Sequence, residues 1–276
     1  MGGSLISTVK VDRALSGPAE HSYWLDTVNV LTPDAQTEIP PTVDVAIIGA
    51  GFTGLSAART LAVRGASVAV LESHHIGWGA SSRNGGMVLT GLKQPASSLV
   101  AKFGIARARQ LYDASLQSID CVERIVLDDS IECDFSRCGH AEVACKPRHF
   151  DAMRKEAELL ATSFGHPTQV VERGRIGSVI GSEAYHGAIV DGSSAKVNPA
   201  QFVFGLAAAA KRLGAVIVES ARATMIEKVK HAGYTIATSL GPMRASKVLV
   251  ASGAYTGETH ASIGRRVIAV GSYVIA

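Results

Sequence analysis

The sequence lacks the features that mark nucleic-acid-binding and membrane proteins. The formal charge is only +3, and no basic run concentrates it, so charge gives no reason to expect a nucleic-acid partner. No apolar stretch reaches the roughly 18 residues of a membrane span, and the N-terminus has no charged start followed by an apolar block. We therefore expect a cytoplasmic protein without a membrane span.

Cysteine is scarce as well. Cys121, Cys133, Cys138 and Cys145 form no C-x-x-C pair, and this spacing is typical of neither a common zinc site nor a secreted disulfide framework. We expect these cysteines to be reduced and mostly buried, and no metal site is predicted. Internal repeats and low-complexity tracts are also missing, which leaves a globular chain.

The chain has enough apolar residues to form a large hydrophobic core. Its 276 residues are 47% hydrophobic, enough for one large domain or two interleaved domains. Residues 1–41 are polar and contain four prolines, which indicates an N-terminal arm. We expect Tyr23 and Trp24 of this arm to pack on a neighbouring domain.

A strand, a helix and a second strand follow the arm within about thirty residues. The run VDVAII (43–48) has the composition of a buried strand. Residues 51–64 have helical spacing, with Gly65 placed as the C-terminal cap. Residues 66–72 (ASVAVLE) predict a second buried strand. The pattern is typical of a right-handed βαβ unit.

A G-x-G-x-x-G motif lies where this strand meets this helix. Gly49 permits a tight turn, Gly51 lets the backbone approach a pyrophosphate, and Gly54 lets the helix pack closely on the strand. The helix N-terminus offers free N–H groups and a partial positive charge to phosphates. Glu72 ends the next strand, about 20 residues on, where a carboxylate accepts hydrogen bonds from ribose hydroxyls. Dinucleotide binding is predicted, and FAD and NAD both carry the ADP half.

The stretch GWGASSRNGG (77–86) follows that acid and is made almost entirely of small residues. An extended loop of this kind is suited to run under a long cofactor with close backbone contact. Its composition alone is equally typical of a flexible surface turn.

The remaining residues predict further α and β elements. Residues 95–130 and 149–165 are expected to be helical, and CDFSRCGHAEVAC between them suggests part of a second sheet. Asn198 is predicted as the N-cap of a helix that Gly214 terminates. A strand (AVIVES) follows, and then a hairpin whose turn is expected at Gly241-Pro242.

These motifs carry a family resemblance. Residues 44–87 resemble the FAD-dependent amine and amino-acid oxidoreductases of the D-amino-acid oxidase superfamily, and most of all the gamma-glutamylputrescine oxidase-type branch. Their sequence is DVAIIGAGFTGLSAARTLAVRGASVAVLESHHIGWGASSRNGGM. Four further stretches extend the likeness over nearly the whole chain: SYWLD in the arm, and then NPAQFVFGLAAAAKRLGAVIVES, KVLVASGAYTG and VIAVGSYVIA. These motifs do not specify a substrate.

The resemblance implies a set of FAD-binding residues. The pyrophosphate would be held by Gly49, Gly51, Phe52, Thr53 and Gly54, and the adenosine ribose by Glu72 and Ser73. Ala80 and Ser81 would lie along the diphosphate, and Arg83, Asn84, Gly85, Gly86 and Met87 near the isoalloxazine. Ala223 would hold the adenine through its backbone, and Ala251, Ser252 and Gly253 would close over the ADP half. Gly79 stands where some relatives attach the flavin through a histidine, so non-covalent FAD is expected.

The activity implied is oxidation of a C–N bond in a small amine or amino acid. Hydride would pass to FAD from the carbon next to the amine, the resulting imine would hydrolyse, and oxygen or another acceptor would reoxidise the flavin. No residue is assigned as the catalytic base. Arg83 would steer a carboxylate, stabilise reduced flavin or form a structural salt bridge, and Tyr255 and His260 are weaker candidates. The alternative is a shortened, catalytically impaired relative that acts as a binding module or a remnant.

The expected fold is α/β: a Rossmann-like FAD-binding domain interleaved with an incomplete α+β substrate domain. The FAD-binding domain is assigned to residues 42–115 and 190–262, and the substrate domain to 116–189 and 263–276. Relatives in this resemblance continue for roughly a hundred or more residues past the last one here. The run RVIAVGSYVIA (266–276) is expected to form an apolar strand with an open edge, which invites a partner chain or self-association.

Overall fold

The protein is described by a computed structural model that covers residues 22–28, 38–257, 259 and 261–271. Within these ranges it contains strands β1 to β11, helices α1 to α6 and four short 3-10 helices. In chain order the elements are the 3-10 helix Tyr23–Thr27, β1 (Thr42–Ile48), α1 (Phe52–Val63), β2 (Val68–Leu71), the 3-10 helix Ala80–Ser82, β3 (Met87–Val88), α2 (Ala96–Phe103), α3 (Ile105–Asp128), β4 (His140–Val143), α4 (Pro147–Phe164), β5 (Gln169–Glu172), the 3-10 helix Arg173–Ser178, β6 (Gly187–Asp191), β7 (Ala195–Lys196), α5 (Pro199–Arg212), β8 (Val216–Val218), β9 (Ala223–Val229), β10 (Gly233–Thr238), β11 (Gly241–Val250), the 3-10 helix Gly253–Tyr255 and α6 (Ala261–Gly264).

The largest sheet has six strands in the order β8-β2-β1-β11-β10-β9. The first four run parallel, and β10 and β9 continue the sheet as antiparallel hairpins. Parallel strands are buried on both faces, and the sequence of β2 is accordingly apolar at every position. The predicted βαβ unit is confirmed as β1, α1 and β2.

Alternate residues of β1 supply two separate cores. Ile47 packs with Leu55 of α1 and Val203 of α5 on one face of the parallel strands. Ile48 packs on the other face with Ile236 and Met243, which come from β10 and β11. Helices therefore pack on one face of the parallel strands, and the hairpins that continue the sheet contribute residues to the core on the other face.

The second region contains a three-stranded antiparallel sheet, β4-β6-β5, and the two-stranded pair β3-β7. Val171, Ile176 and Ala188 form the core of the three-stranded sheet. The pair β3-β7 connects the two regions because β3 follows the glycine loop and β7 directly precedes α5.

The predicted start of α5 is confirmed. The Asn198 side chain accepts hydrogen bonds from the N–H groups of Ala200 and Gln201, and Pro199 is the first helical residue. Gly214 follows the end of the helix at φ +94°, a conformation that glycine adopts without a steric cost.

Several expected elements differ in detail. The helix predicted over 95–130 is two helices, because Gly104 at φ +74° interrupts it. Gly241 and Pro242 are the first residues of β11 rather than the turn, since Gly241 already pairs with Thr238 and leaves Ser239 and Leu240 as the connection. Proline is tolerated at the beginning of a strand.

The expected C-terminal strand is wrong over residues 266–271, which have no strand structure; residues 272–276 lie outside the described ranges. Ile268 is 88% exposed, and within the described residues no neighbouring strand supplies the hydrogen bonds that an extended edge needs. The expectation of mostly buried cysteines is also wrong. Cys138 and Cys145 are exposed and only Cys133 is buried, because their segments lie at the surface of the second region.

Candidate functional site at the carboxyl ends of the parallel strands

The turn between β1 and α1 requires glycine at two positions for internal reasons. Gly49 has φ +106°, and a Cβ there would lie 2.8 Å from the Ala251 carbonyl oxygen. A Cβ on Gly54 would lie 2.0 Å from the Gly49 carbonyl oxygen. These two glycines therefore allow α1 to start directly against the ends of β1 and β11.

Gly51 is different because its close neighbour is the end of a side chain and not the backbone. Its φ of −92° is open to any residue, and an added Cβ would meet only the Ser81 hydroxyl, at 2.9 Å. As the N-cap of α1, Gly51 brings no capping side chain. Without a side chain on Gly51, the backbone at the N-terminus of α1 can approach a diphosphate closely.

Ser81 faces the start of α1 from the glycine loop (residues 77–86). Its hydroxyl oxygen accepts a hydrogen bond from the Phe52 N–H at 3.0 Å. A helix leaves its first N–H groups without intrahelical partners, so this hydroxyl lies where a phosphate oxygen would bind. Thr53, the next helix residue, is exposed at the same end of α1.

Glu72 lies beside the glycine turn although it follows β2. Oε2 accepts from the Ala50 N–H at 2.8 Å, and Oε1 accepts from the His74 N–H at 3.0 Å and from the Ser73 hydroxyl at 3.3 Å. The residue is 9% exposed. A carboxylate has about four acceptor positions, so one remains for a ligand hydroxyl.

The glycine loop is folded back on itself rather than extended, which corrects the expectation from composition. Ala80–Ser82 forms a 3-10 turn, and the Ser82 hydroxyl, fully buried, donates to the Gly77 carbonyl at 2.7 Å. The Asn84 side chain bridges the loop: its amide donates to Ala80 and Ser81, and its oxygen accepts from the Gly86 N–H. These bonds fix the backbone, so the loop is not a flexible surface turn.

The loop then passes to the second region through β3. Gly86 has φ +71°, and a Cβ there would lie 2.3 Å from the Val197 carbonyl oxygen. Met87 pairs with Lys196 of β7, and its side chain is exposed. Gly85 is exposed beside it.

An aromatic cluster lies next to Glu72. The His74 and Trp78 rings stack with centroids 3.9 Å apart, and Tyr255 meets Trp78 edge-on at 5.2 Å. The Arg83 guanidinium lies over the Trp78 ring, 5.1 Å from its centroid. Arg83 is thus held on the side of the loop that adjoins residues 72–74. His260, the other weak candidate, lies outside the described residues.

The remaining predicted positions are residues 251–253, which follow β11, and Ala223, which begins β9. Ala251 donates its N–H to Ile48, and the Ser252 hydroxyl lies 2.8 Å from that of Thr256. Gly253, at φ +54°, begins the short 3-10 helix that follows. Ala223 is buried at the start of β9, and its carbonyl accepts from the Thr259 hydroxyl.

Two groups of hydrogen bonds near the site were not predicted. Ser22 and Trp24 of the arm donate to carbonyls of the glycine loop, whereas Tyr23, expected to pack, is 68% exposed. No periodic signal marks these hydrogen bonds, because they join residues 60 positions apart in the chain.

The second group is a buried polar cluster in the second region. The Asp191 carboxylate accepts from the Thr90 hydroxyl, lies 2.8 Å from His166 Nε2 and accepts from the Ser193 N–H. Burial acts to raise the pKa of Asp191, but these hydrogen bonds together hold it below its ordinary value. Burial also raises the pKa of neighbouring Tyr112. The described residues contain no group of three or more side chains able to hold a metal ion, and no described helix is long and apolar enough to cross a membrane.

The fold is of the Rossmann-like FAD-binding class. Glycine oxidase from Geobacillus kaustophilus superposes with a TM-score of 0.66 at 25% identity, over 82% of this chain and 59% of that one. L-proline dehydrogenase from P. horikoshii has the same fold, with a TM-score of 0.64 at 20% identity over 82% and 57% of the two chains.

The chain belongs to the FAD-dependent oxidoreductase family, whose model matches residues 44–276. The probable oxidoreductase OrdL of Haemophilus influenzae is 31% identical over 266 residues, which cover 92% of this chain and 60% of that protein. Gamma-glutamylputrescine oxidoreductase of Escherichia coli is 28% identical over 255 residues, 92% of this chain and 59% of the relative. The resemblance inferred from the motifs is confirmed, and the chain spans about 60% of the length of these relatives.

Proposed function

We propose that this chain binds FAD non-covalently and takes part in oxidising the C–N bond of an amine or amino acid. The observation that carries the proposal is the turn at the start of α1: a Cβ on Gly51 would meet the Ser81 hydroxyl at 2.9 Å, and that hydroxyl accepts from the Phe52 N–H where a phosphate oxygen would bind. The family membership supports FAD as the cofactor, and the names of glycine oxidase and gamma-glutamylputrescine oxidoreductase support an amino compound as substrate.

The residues present fit the ADP half of FAD. The N–H groups that open α1 would hold the diphosphate, with Ser81 beside it, and Glu72 would accept one hydrogen bond from the ribose. The close contacts at Gly49 and Gly54 hold the start of α1 against the ends of β1 and β11.

The flavin half would lie along the glycine loop toward β3. When bound, FAD would supply the hydride acceptor, and the chain would supply binding, orientation and a fixed loop backbone. The proposal assigns cofactor-binding roles to the predicted residues and assigns no catalytic base. The division into an FAD-binding domain (42–115 and 190–262) and a substrate domain (116–189 and 263–276), the cytoplasmic location and self-association through residues 266–276 stay predictions.

The second candidate function is a binding module without turnover. It is considered because the residues assigned to the site have cofactor-binding roles and none of them is assigned as a catalytic base. Both candidates predict bound FAD, and they differ in whether an amine reduces it.

The test begins with the visible spectrum of the purified protein after incubation with FAD. We expect flavin bands that remain with the protein on gel filtration and separate from it after denaturation, because no covalent link is expected at Gly79. Anaerobic addition of amines or amino acids then separates the candidates: bleaching of the flavin supports the enzyme, and an unchanged spectrum with every amine supports the binding module.

Two glycine variants make the test specific to the crevice. Gly51→Ala is expected to fold. It is expected to bind FAD at least about tenfold more weakly, because its methyl group would lie where the backbone has to approach the diphosphate. Gly174→Ala is the matched control, because a Cβ there meets nothing within 4 Å. Equal FAD affinity of the two variants would show that the crevice at Gly51 is not the binding site.

A further inference from the structure

A short segment of the N-terminal arm contacts the glycine loop from outside. We call residues 22–28 the strap; they contain the 3-10 helix Tyr23–Thr27. The Ser22 hydroxyl donates to the Ser82 carbonyl at 2.6 Å, and the Trp24 indole N–H donates to the Asn84 carbonyl at 2.8 Å. The two acceptors flank Arg83, so the strap fixes the loop backbone on both sides of that residue.

The other end of the strap is anchored on α5. The Asn198 amide donates to the Thr27 hydroxyl at 2.7 Å, and that hydroxyl donates to the Trp24 carbonyl. Asn198 also caps α5 through its side-chain oxygen. One buried asparagine therefore fixes both the start of a core helix and the strap, which ties the strap to the rigid part of the fold.

The hydrogen bond from Trp24 sets the direction of one peptide group. In a trans peptide the carbonyl and the following N–H point to opposite sides, and no described peptide bond is cis. Because the Asn84 carbonyl is directed at Trp24, the Gly85 N–H points away from the strap. Gly85 is exposed, and a Cβ built there would meet only the Met87 side chain, at 3.3 Å, so the surroundings of this residue leave room for a ligand.

We infer that Trp24 and Ser22 are positioning residues that aim the Gly85 N–H at the flavin portion of bound FAD. The inference rests on the proposed function, since it needs FAD to lie along the loop. A hydrogen-bond donor fixed before binding costs less entropy than one that orders on binding. The strap thus raises FAD affinity without contacting the cofactor itself.

The experiment compares Trp24→Phe, which removes the indole N–H and keeps an aromatic ring, with Tyr23→Phe as the matched control. The Tyr23 side chain is largely exposed, and its ring meets that of Trp24 edge-on at 5.5 Å. Without this hydrogen bond the loop has to order when FAD binds, so we expect Trp24→Phe to raise the Kd for FAD about two- to twelvefold. Ser22→Ala is the second, less disruptive variant and should act in the same direction.

Two readouts separate positioning from a purely structural role. The visible bands of bound flavin should shift in Trp24→Phe, and amide exchange at residues 84–86 of the apoprotein should become faster. The apoprotein of Trp24→Phe should remain folded without urea, with a urea midpoint lower than that of Tyr23→Phe by no more than the loss of one hydrogen bond allows. A wild-type protein that binds no FAD would overturn the proposed function and this inference with it. If the wild type binds FAD and both strap variants match Tyr23→Phe in Kd, spectrum and exchange, the inference alone is overturned.

Discussion

Replacing Glu72 by glutamine tests whether this carboxylate organises the glycine turn before any ligand is bound. In the structure Glu72 accepts one hydrogen bond from the buried Ala50 N–H and one from the His74 N–H, with Ser73 adding a longer one. Glutamine has nearly the same shape but only one acceptor oxygen. It also loses the charge that strengthens each bond.

The expected cost follows from which donor is left without a partner. His74 is exposed, so water can satisfy its N–H, whereas Ala50 is fully buried. The glutamine oxygen should therefore stay with Ala50, and the loss is mainly that of charge assistance. We expect Glu72→Gln to lower the free energy of unfolding of the apoprotein by about 1–2 kcal/mol, and Glu72→Leu, which leaves the Ala50 N–H unpaired, by about 3 kcal/mol.

Urea unfolding of the apoprotein measures both values. Glu142→Gln makes the same chemical change at an exposed position of β4 and is expected to stay within about 0.5 kcal/mol of the wild type. If Glu72→Gln and Glu72→Leu both behave like this control, the carboxylate does not hold the turn, and its assignment as a preformed ribose acceptor loses its structural basis.

Three further perturbations give independent predictions. Gly54→Ala should yield little folded protein, because its Cβ would lie 2.0 Å from the Gly49 carbonyl oxygen; a soluble variant with wild-type circular dichroism would contradict this. Asp191→Asn should lower the free energy of unfolding by about 2 kcal/mol at pH 7, since it weakens a buried network. Because the folded pKa of Asp191 lies below its ordinary value, the unfolded state binds more protons, so the wild-type advantage is present above about pH 4 and is lost as the pH falls through the folded pKa; a pH-independent difference would refute it. Burial raises the pKa of the Cys133 thiol to about 11, so iodoacetamide at pH 8 should label exposed Cys138 first, and peptide mapping that finds Cys133 modified equally fast would contradict the structure.

The amino-acid sequence by itself determined the βαβ unit and the start of α5. Short apolar runs, helical spacing and the Asn198 cap are local features that depend on residues a few positions apart. The G-x-G-x-x-G motif is local in the same sense, because the strand, the turn and the helix that give it meaning are contiguous. The acid at position 72 was predicted from its distance to Gly49, and the structure brings its carboxylate to Ala50.

Tertiary structure decided the features that depend on contacts between distant segments. The requirement for glycine at position 49 comes from Ala251, and Gly86 is constrained by Val197. The glycine loop is compact because Asn84 and the strap hydrogen-bond its carbonyls. Composition could not distinguish this loop from an extended or flexible one, because small residues permit all three conformations and only their partners select one.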